Sequence, residues 1–182
     1  MTVEPTSLPG VVIVTSPVYH DERGSFAEVF HAARFANASL PTAFVQDNHS
    51  HSTRHVLRGL HYQVGTPQGK LVRAVTGTIF DVAVDLRRAS PTFGQWFGTT
   101  LSEGDGRQLW IPEGCAHGFL VLSASANVSY KCTALYDARL ERALHWNDET
   151  IGVRWPIPLG NAPVVSEKDA RAPMFSDAVV FA

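Results

Sequence analysis

The sequence predicts an all-β protein, a sandwich, barrel or jelly roll. Three observations carry that prediction. Apolar or alternating runs recur at roughly 8–12-residue spacing, Gly and Pro punctuate them, and helical periodicity is scarce. A chain of 182 residues favours one domain, residues 1–182, with a substantial core.

In order, the expected strands fall in GVVIVTSPVY (10–19), GSFAEVF (24–30), the start of LRGLHYQVGTPQGKLVRAVTGTIFDVAVDLR (57–87), KLVRAVTG (70–77), TIFDVAVDLR (78–87), QWFGTTL (95–101), RQLWIP (107–112), HGFLVLSA (117–124) and NVSYKCTALY (127–136). HAARFANASL (31–40) predicts a short helix ahead of Pro41, and Ser166 is a plausible N-cap for another. Within 79–86, Phe80, Val82, Val84 and Leu86 form one apolar face, while the other carries Asp81 and Asp85. Those acids are either solvated on a half-exposed strand or turned into a cavity.

Residues 57–63 pose a sharper problem. Strict alternation separates Arg58, Leu60 and Tyr62 from Leu57, Gly59, His61 and Gln63. For Arg58 and His61 to serve one site, the strand must break alternation between them. Gly59 is the natural place for a bulge.

Composition narrows the function. The formal net charge is −2 with no basic run, which argues against nucleic acid or an anionic membrane as partner. No apolar run is long enough to span a bilayer, and the N-terminus does not read as a signal peptide. Cys115 and Cys132 form no CxxC, so a cytoplasmic protein with reduced, structural thiols is expected.

The chemistry-bearing clusters are RGSFAEVF, QDNHSHSTRHVLRGLHYQ, QGKLVR and IPEGCAHGFLVL. GRQLWIPEGCAH fits the second half-motif of cupins, but HSH at 49–51 is the only His-x-His and no Glu follows at the required distance. A functional metal, needing three convergent ligands, is not expected. Nucleophile-elbow, dinucleotide and P-loop motifs are missing. Acid–base chemistry remains: His61 as base, Lys70 beside an oxyanion, Tyr130 as proton donor, Arg23 and Arg58 on phosphate. Each has a structural rival, since a strand His or Tyr is more often a packing residue.

The ordered blocks DERGSFAEVF, FVQDNHSHS, LRGLHYQ, QGKLVR, GTIFDVAVDLR, SPTFGQW, RQLWIPEGCAHGFLVLS, YKCTALY, ERALHWND and SEKDA span nearly the whole chain. Together they resemble the dTDP-4-dehydrorhamnose 3,5-epimerases and their antibiotic-sugar relatives. The resemblance implies a cupin-type jelly roll, no metal or other cofactor, and a dTDP-linked 4-keto-6-deoxy sugar epimerised at C3 and/or C5. It implies that His61 is the base, Asp169 its partner, Tyr130 the acid and Lys70 the group beside the C4 oxygen. It further implies substrate contacts from Arg23, Phe26, Glu28, Gln46, Asn48, Arg58, His117, Glu141 and Lys168, with Tyr136 stacking on thymine. A homodimer is implied, in which the segment bearing Arg23, Phe26 and Glu28 crosses to the partner. Leu135 and Cys115 depart from the family pattern and point to a reshaped sugar pocket. A mono-epimerase, a cupin ketoisomerase, a silent nucleotide-sugar binder and a metal-dependent oxygenase are the competing readings.

Overall fold

The computed structural model describes all 182 residues. Its strands are β1 (Thr2–Pro5), β2 (Val12–Thr15), β3 (Val18–Asp21), β4 (Gly24–Ala27), β5 (Gln46–Thr53), β6 (Leu57–Gln63), β7 (Lys70–Thr76), β8 (Thr78–Asp85), β9 (Trp96–Ser102), β10 (Arg107–Ile111), β11 (Cys115–Val121), β12 (Ser125–Cys132) and β13 (Glu141–Ala143). The helices are α1 (Ala32–Asn37) and α2 (Glu167–Ala170), with a 3-10 turn at Phe175–Asp177. Two antiparallel sheets, ordered β1-β2-β10-β7-β12-β5 and β13-β6-β11-β8-β9, face each other as a jelly roll, and β3-β4 form a separate hairpin. No helix is long and apolar enough to cross a membrane.

Both expected helices form. Ser166 caps α2 through its hydroxyl, which accepts from the Asp169 amide at 3.1 Å. The run 10–19 does not stay one strand: it breaks after Thr15, and its second half enters the hairpin.

The core fills the space between the sheets, from Ile13, Val72, Leu109 and Val128 on one side to Ile79, Ala83, Phe119 and Val121 on the other. A second apolar layer lies behind the five-stranded sheet. There Leu60, Tyr62, Val82, Val84 and Leu86 are covered by Trp155, Phe175 and Phe181. β8 is therefore buried on both faces, and Asp81 and Asp85 are fully buried rather than solvated. Hydrogen bonds satisfy both oxygens of Asp85 but only one of Asp81, whose Oδ2 has no partner. Asp81 Oδ1 meets His117 Nε2 at 2.7 Å, and Asp85 accepts from Arg87, Ser90 and Thr92. Burial opposes ionisation of Asp85, but those hydrogen bonds outweigh it and hold its pKa down at about 2.

Gly59 carries the bulge anticipated for it. His117 of β11 pairs with His61, yet Phe119, two residues on, pairs with Arg58, three residues back. The extra residue puts Arg58 and His61 on one face. Gly59 has φ +130°, and a Cβ there would meet Gly118 Cα at 2.5 Å. Only glycine suits that conformation and that closeness.

Candidate active site

His61 stands at the junction of two cavities. One, of about 270 Å³, is lined by Gln46, Asn48, Gln63, Lys70, Tyr130, Tyr136 and Glu141 among others. The second, of about 330 Å³, is lined by Arg58, Ser166, Lys168 and Asp169.

Register explains the first cavity. β12 places Tyr130 opposite Asn48 on one side and Val72 on the other, and Cys132 opposite Gln46 and Lys70. These side chains share the inner face of the six-stranded sheet. Across from them, β13 sets Glu141 opposite Gln63 on the same face as His61. β5 itself escaped the sequence reading. It is an edge strand whose inner positions are Gln46, Asn48, Ser50 and Ser52, so no apolar alternation marks it.

Asp169 comes from far along the chain. The Val164 amide donates to His55 O (2.8 Å) and the Leu57 amide to Val164 O (2.9 Å), which straps the 164–169 segment to the start of β6. The Ser166 cap then fixes α2, and Asp169 Oδ1 reaches His61 Nε2 at 2.6 Å. Its other oxygen faces the Gly59 amide at 3.4 Å. Burial opposes the Asp169 charge, but the His61 contact wins and the carboxyl pKa is lowered. With this carboxylate as acceptor, Nε2 holds the proton and Nδ1 is left as the basic nitrogen.

Lys70 is buried, and Nζ donates to the His61 carbonyl at 3.3 Å. Burial pushes its ammonium below the usual lysine range, with Cys132, Glu141 and Asp81 opposing. Burial, reinforced by Cys132, pushes the Tyr130 phenol up, so it stays protonated at neutral pH. This face therefore holds a paired imidazole, a weakened ammonium and a phenol that retains its proton. That set suits proton removal and return beside a developing oxyanion.

Around it, Tyr136 donates its hydroxyl to Glu141 at 2.7 Å and its amide to Gln46 at 2.7 Å. Lys168 pairs with Glu141. Arg58 donates Nε to Ser52 at 2.9 Å and leaves much of its guanidinium exposed.

Four expected residues lie elsewhere in the chain. His117 is buried between Asp81 and Tyr130, its ring centroid 6.3 Å from that of Tyr130. It backs Tyr130 and is not among the cavity-lining residues. Arg23 and Phe26 are on the exposed β3-β4 hairpin, where Arg23 pairs with Asp21 at 2.5 Å. Glu28, just beyond β4, pairs with Arg34 of α1 at 2.8 Å. Cys115 is in the core near Arg87 and reshapes no cavity, whereas Leu135 is well exposed beside Tyr136.

Gln63 was overlooked. Its amide donates to Thr66 O (2.5 Å) and Leu135 O (3.1 Å), and accepts from the Asp137 amide (2.8 Å). It pins the loop that carries Tyr136. The signal was available, because residue 63 shares a face with His61 at a spacing of two.

The family described as dTDP-4-dehydrorhamnose 3,5-epimerase matches residues 5–177. The chain is 51% identical to a dTDP-4-dehydrorhamnose 3,5-epimerase from Pseudomonas aeruginosa, covering 96% of each. Its fold is similar to that of a dTDP-6-deoxy-D-glucose-3,5-epimerase from Legionella pneumophila solved with dTDP-4-keto-L-rhamnose (TM-score 0.92, 46% identity, 96% of this chain and 93% of that one). It is also similar to a 3'-monoepimerase from Streptomyces bikiniensis in complex with dTDP-quinovose (TM-score 0.88, 30% identity, 95% and 87%).

Proposed function

The chain belongs to the dTDP-4-dehydrorhamnose 3,5-epimerase family, and from that premise we propose that it epimerises a dTDP-4-keto-6-deoxyhexose through His61 and Tyr130. The His61–Asp169 pair, in one cavity wall with Lys70 and facing Tyr130, carries the reading.

The C4 ketone acidifies the hydrogens on C3 and C5. His61 Nδ1 takes one of them as a proton. The C–H electron pair becomes the enolate double bond, and negative charge gathers on the C4 oxygen. Asp169 stabilises the imidazolium, and Lys70 stabilises the oxyanion. Tyr130 returns a proton to the same carbon from the opposite face, and solvent resets both groups. No oxidation state changes.

Arg58 and Lys168 line the second cavity and hold the diphosphate, while Tyr136 stacks on the thymine. Gln46, Asn48 and Glu141 complete the nucleotide–sugar contacts. Arg23, Phe26 and Glu28 act in the partner's site of a homodimer. Support comes from the hairpin, which exposes Tyr19 (63%) and Phe26 (69%) with no cover from its own chain. The two buried free cysteines suit a reducing, cytoplasmic setting.

Incubation with dTDP-4-keto-6-deoxyglucose in D₂O, followed by NMR, tests the proposal. Deuterium at C3 and C5 with inverted configuration is expected. Exchange and inversion at one carbon assigns a mono-epimerase, and a product with a moved carbonyl assigns a ketoisomerase. No exchange, with dTDP still bound, overturns catalysis on this sugar.

A further inference from the structure

We propose that His49, His51 and Asn127 form a binding site for a late first-row divalent ion, Cu²⁺ or Ni²⁺, on the outer face of the six-stranded sheet. The site is separate from the catalytic cavity. Residues 46, 48, 50 and 52 of β5 face inward, so His49 and His51 project from the opposite face and are exposed. β12 pairs with this edge strand and sets Asn127 directly opposite His51, with Ser129 opposite His49.

Both rings converge on one atom of the Asn127 side chain. His49 Nε2 and His51 Nδ1 each lie 3.1 Å from the same oxygen, Asn127 Oδ1. That oxygen is held in place: Asn127 donates Nδ2 to Thr76 Oγ1 at 2.7 Å, so only the carbonyl of its amide can face the rings. Two imidazole nitrogens and an amide oxygen form a donor set that imidazole-preferring ions accept.

The spacing selects among those ions. Donors 3.1 Å apart, each about 2.1 Å from an ion, subtend roughly a right angle there. Square-planar and octahedral ions want that angle, whereas tetrahedral zinc wants a wider one. Both rings are neutral ligands. Each needs only to shift its single proton to its outer nitrogen, and water fills the remaining positions.

Such an ion ties the free edge strand to its neighbour. The inner faces of the same two strands carry Gln46, Asn48 and Tyr130. Loading therefore stabilises the folded chain by mass action. It takes no part in proton transfer.

The test is titration of the full chain with copper sulfate near pH 7.5, read by electron paramagnetic resonance and by thermal unfolding. One tight equivalent per chain with two coordinating ring nitrogens is expected, together with a rise in Tm. His49→Gln and His51→Gln should each weaken that equivalent at least about tenfold and remove the Tm rise, leaving dTDP binding unchanged. Asn127→Asp, which makes the third donor anionic, should tighten it. A copper signal with one ring nitrogen, or equal affinity in the wild type and His51→Gln, overturns the site and assigns the copper to scattered surface groups.

Discussion

Asp169 Oδ1 and His61 Nε2 meet at 2.6 Å across 108 residues of chain. Asp169→Asn keeps the shape but replaces an acceptor with an amide that can turn its donor to the ring, which favours the wrong tautomer. The expected result is a fall in kcat of roughly 10²–10⁴ with dTDP affinity little changed. Steady-state kinetics beside calorimetric dTDP binding checks this, and kcat within threefold of wild type removes Asp169 from the mechanism.

Tyr130→Phe separates the two proton transfers. Removal by His61 continues, so C–H/D exchange in D₂O persists while inversion collapses. Unimpaired inversion in this variant would falsify Tyr130 as the acid.

Burial of Lys70 costs the fold stability. Its folded-state pKa is lowered by burial, so the unfolded chain binds more protons and stability rises with pH. The penalty is complete below the depressed folded value and fades as pH climbs toward the ordinary 10.5. Lys70→Met should therefore unfold at higher urea than wild type at pH 7, by on the order of 1 kcal/mol, while turnover is lost. The stability gap between the two proteins should narrow by pH 10. A variant less stable than wild type at pH 7 contradicts this account.

Gln63→Leu unties the Tyr136 loop by stranding the carbonyls of Thr66 and Leu135 and the amide of Asp137. Substrate KM should rise about tenfold with kcat within about threefold, because Tyr136 on that loop is proposed to hold the nucleotide and not the reacting carbon. A lower Tm with unchanged KM would make Gln63 merely structural.

The proposed shared-site dimer predicts complementation. Arg23→Ala and His61→Ala should each be inactive alone. Mixed in equal amounts with subunit exchange, they should recover about a quarter of wild-type activity, since half the dimers are hybrid and each hybrid has one intact site. No recovery after proven exchange means that each chain builds its own site.

Much of this was legible along the chain. The runs at 70–87 and 107–124 declared strands, because their alternation and turn residues are local properties. Ser166 declared its helix for the same reason, and Gly59 its bulge, because only one residue in that stretch tolerates the break. The blocks around LRGLHYQ and YKCTALY carried the family itself.

Other features needed the folded chain. β5 has no apolar face to announce it, since it is an edge strand whose inner side lines a polar cavity. Asp81 and Asp85 read equally as solvated acids or as a face turned inward, and only the packing of the sheets showed them buried, Asp81 against His117. His117 shares a face with His61 but sits one strand further into the same sheet, enclosed by Asp81 and Tyr130. Sequence determined the local conformations and the family, because those depend on neighbours a few residues apart. Tertiary structure decided which polar groups meet, because strand order and register bring together residues that no local pattern connects.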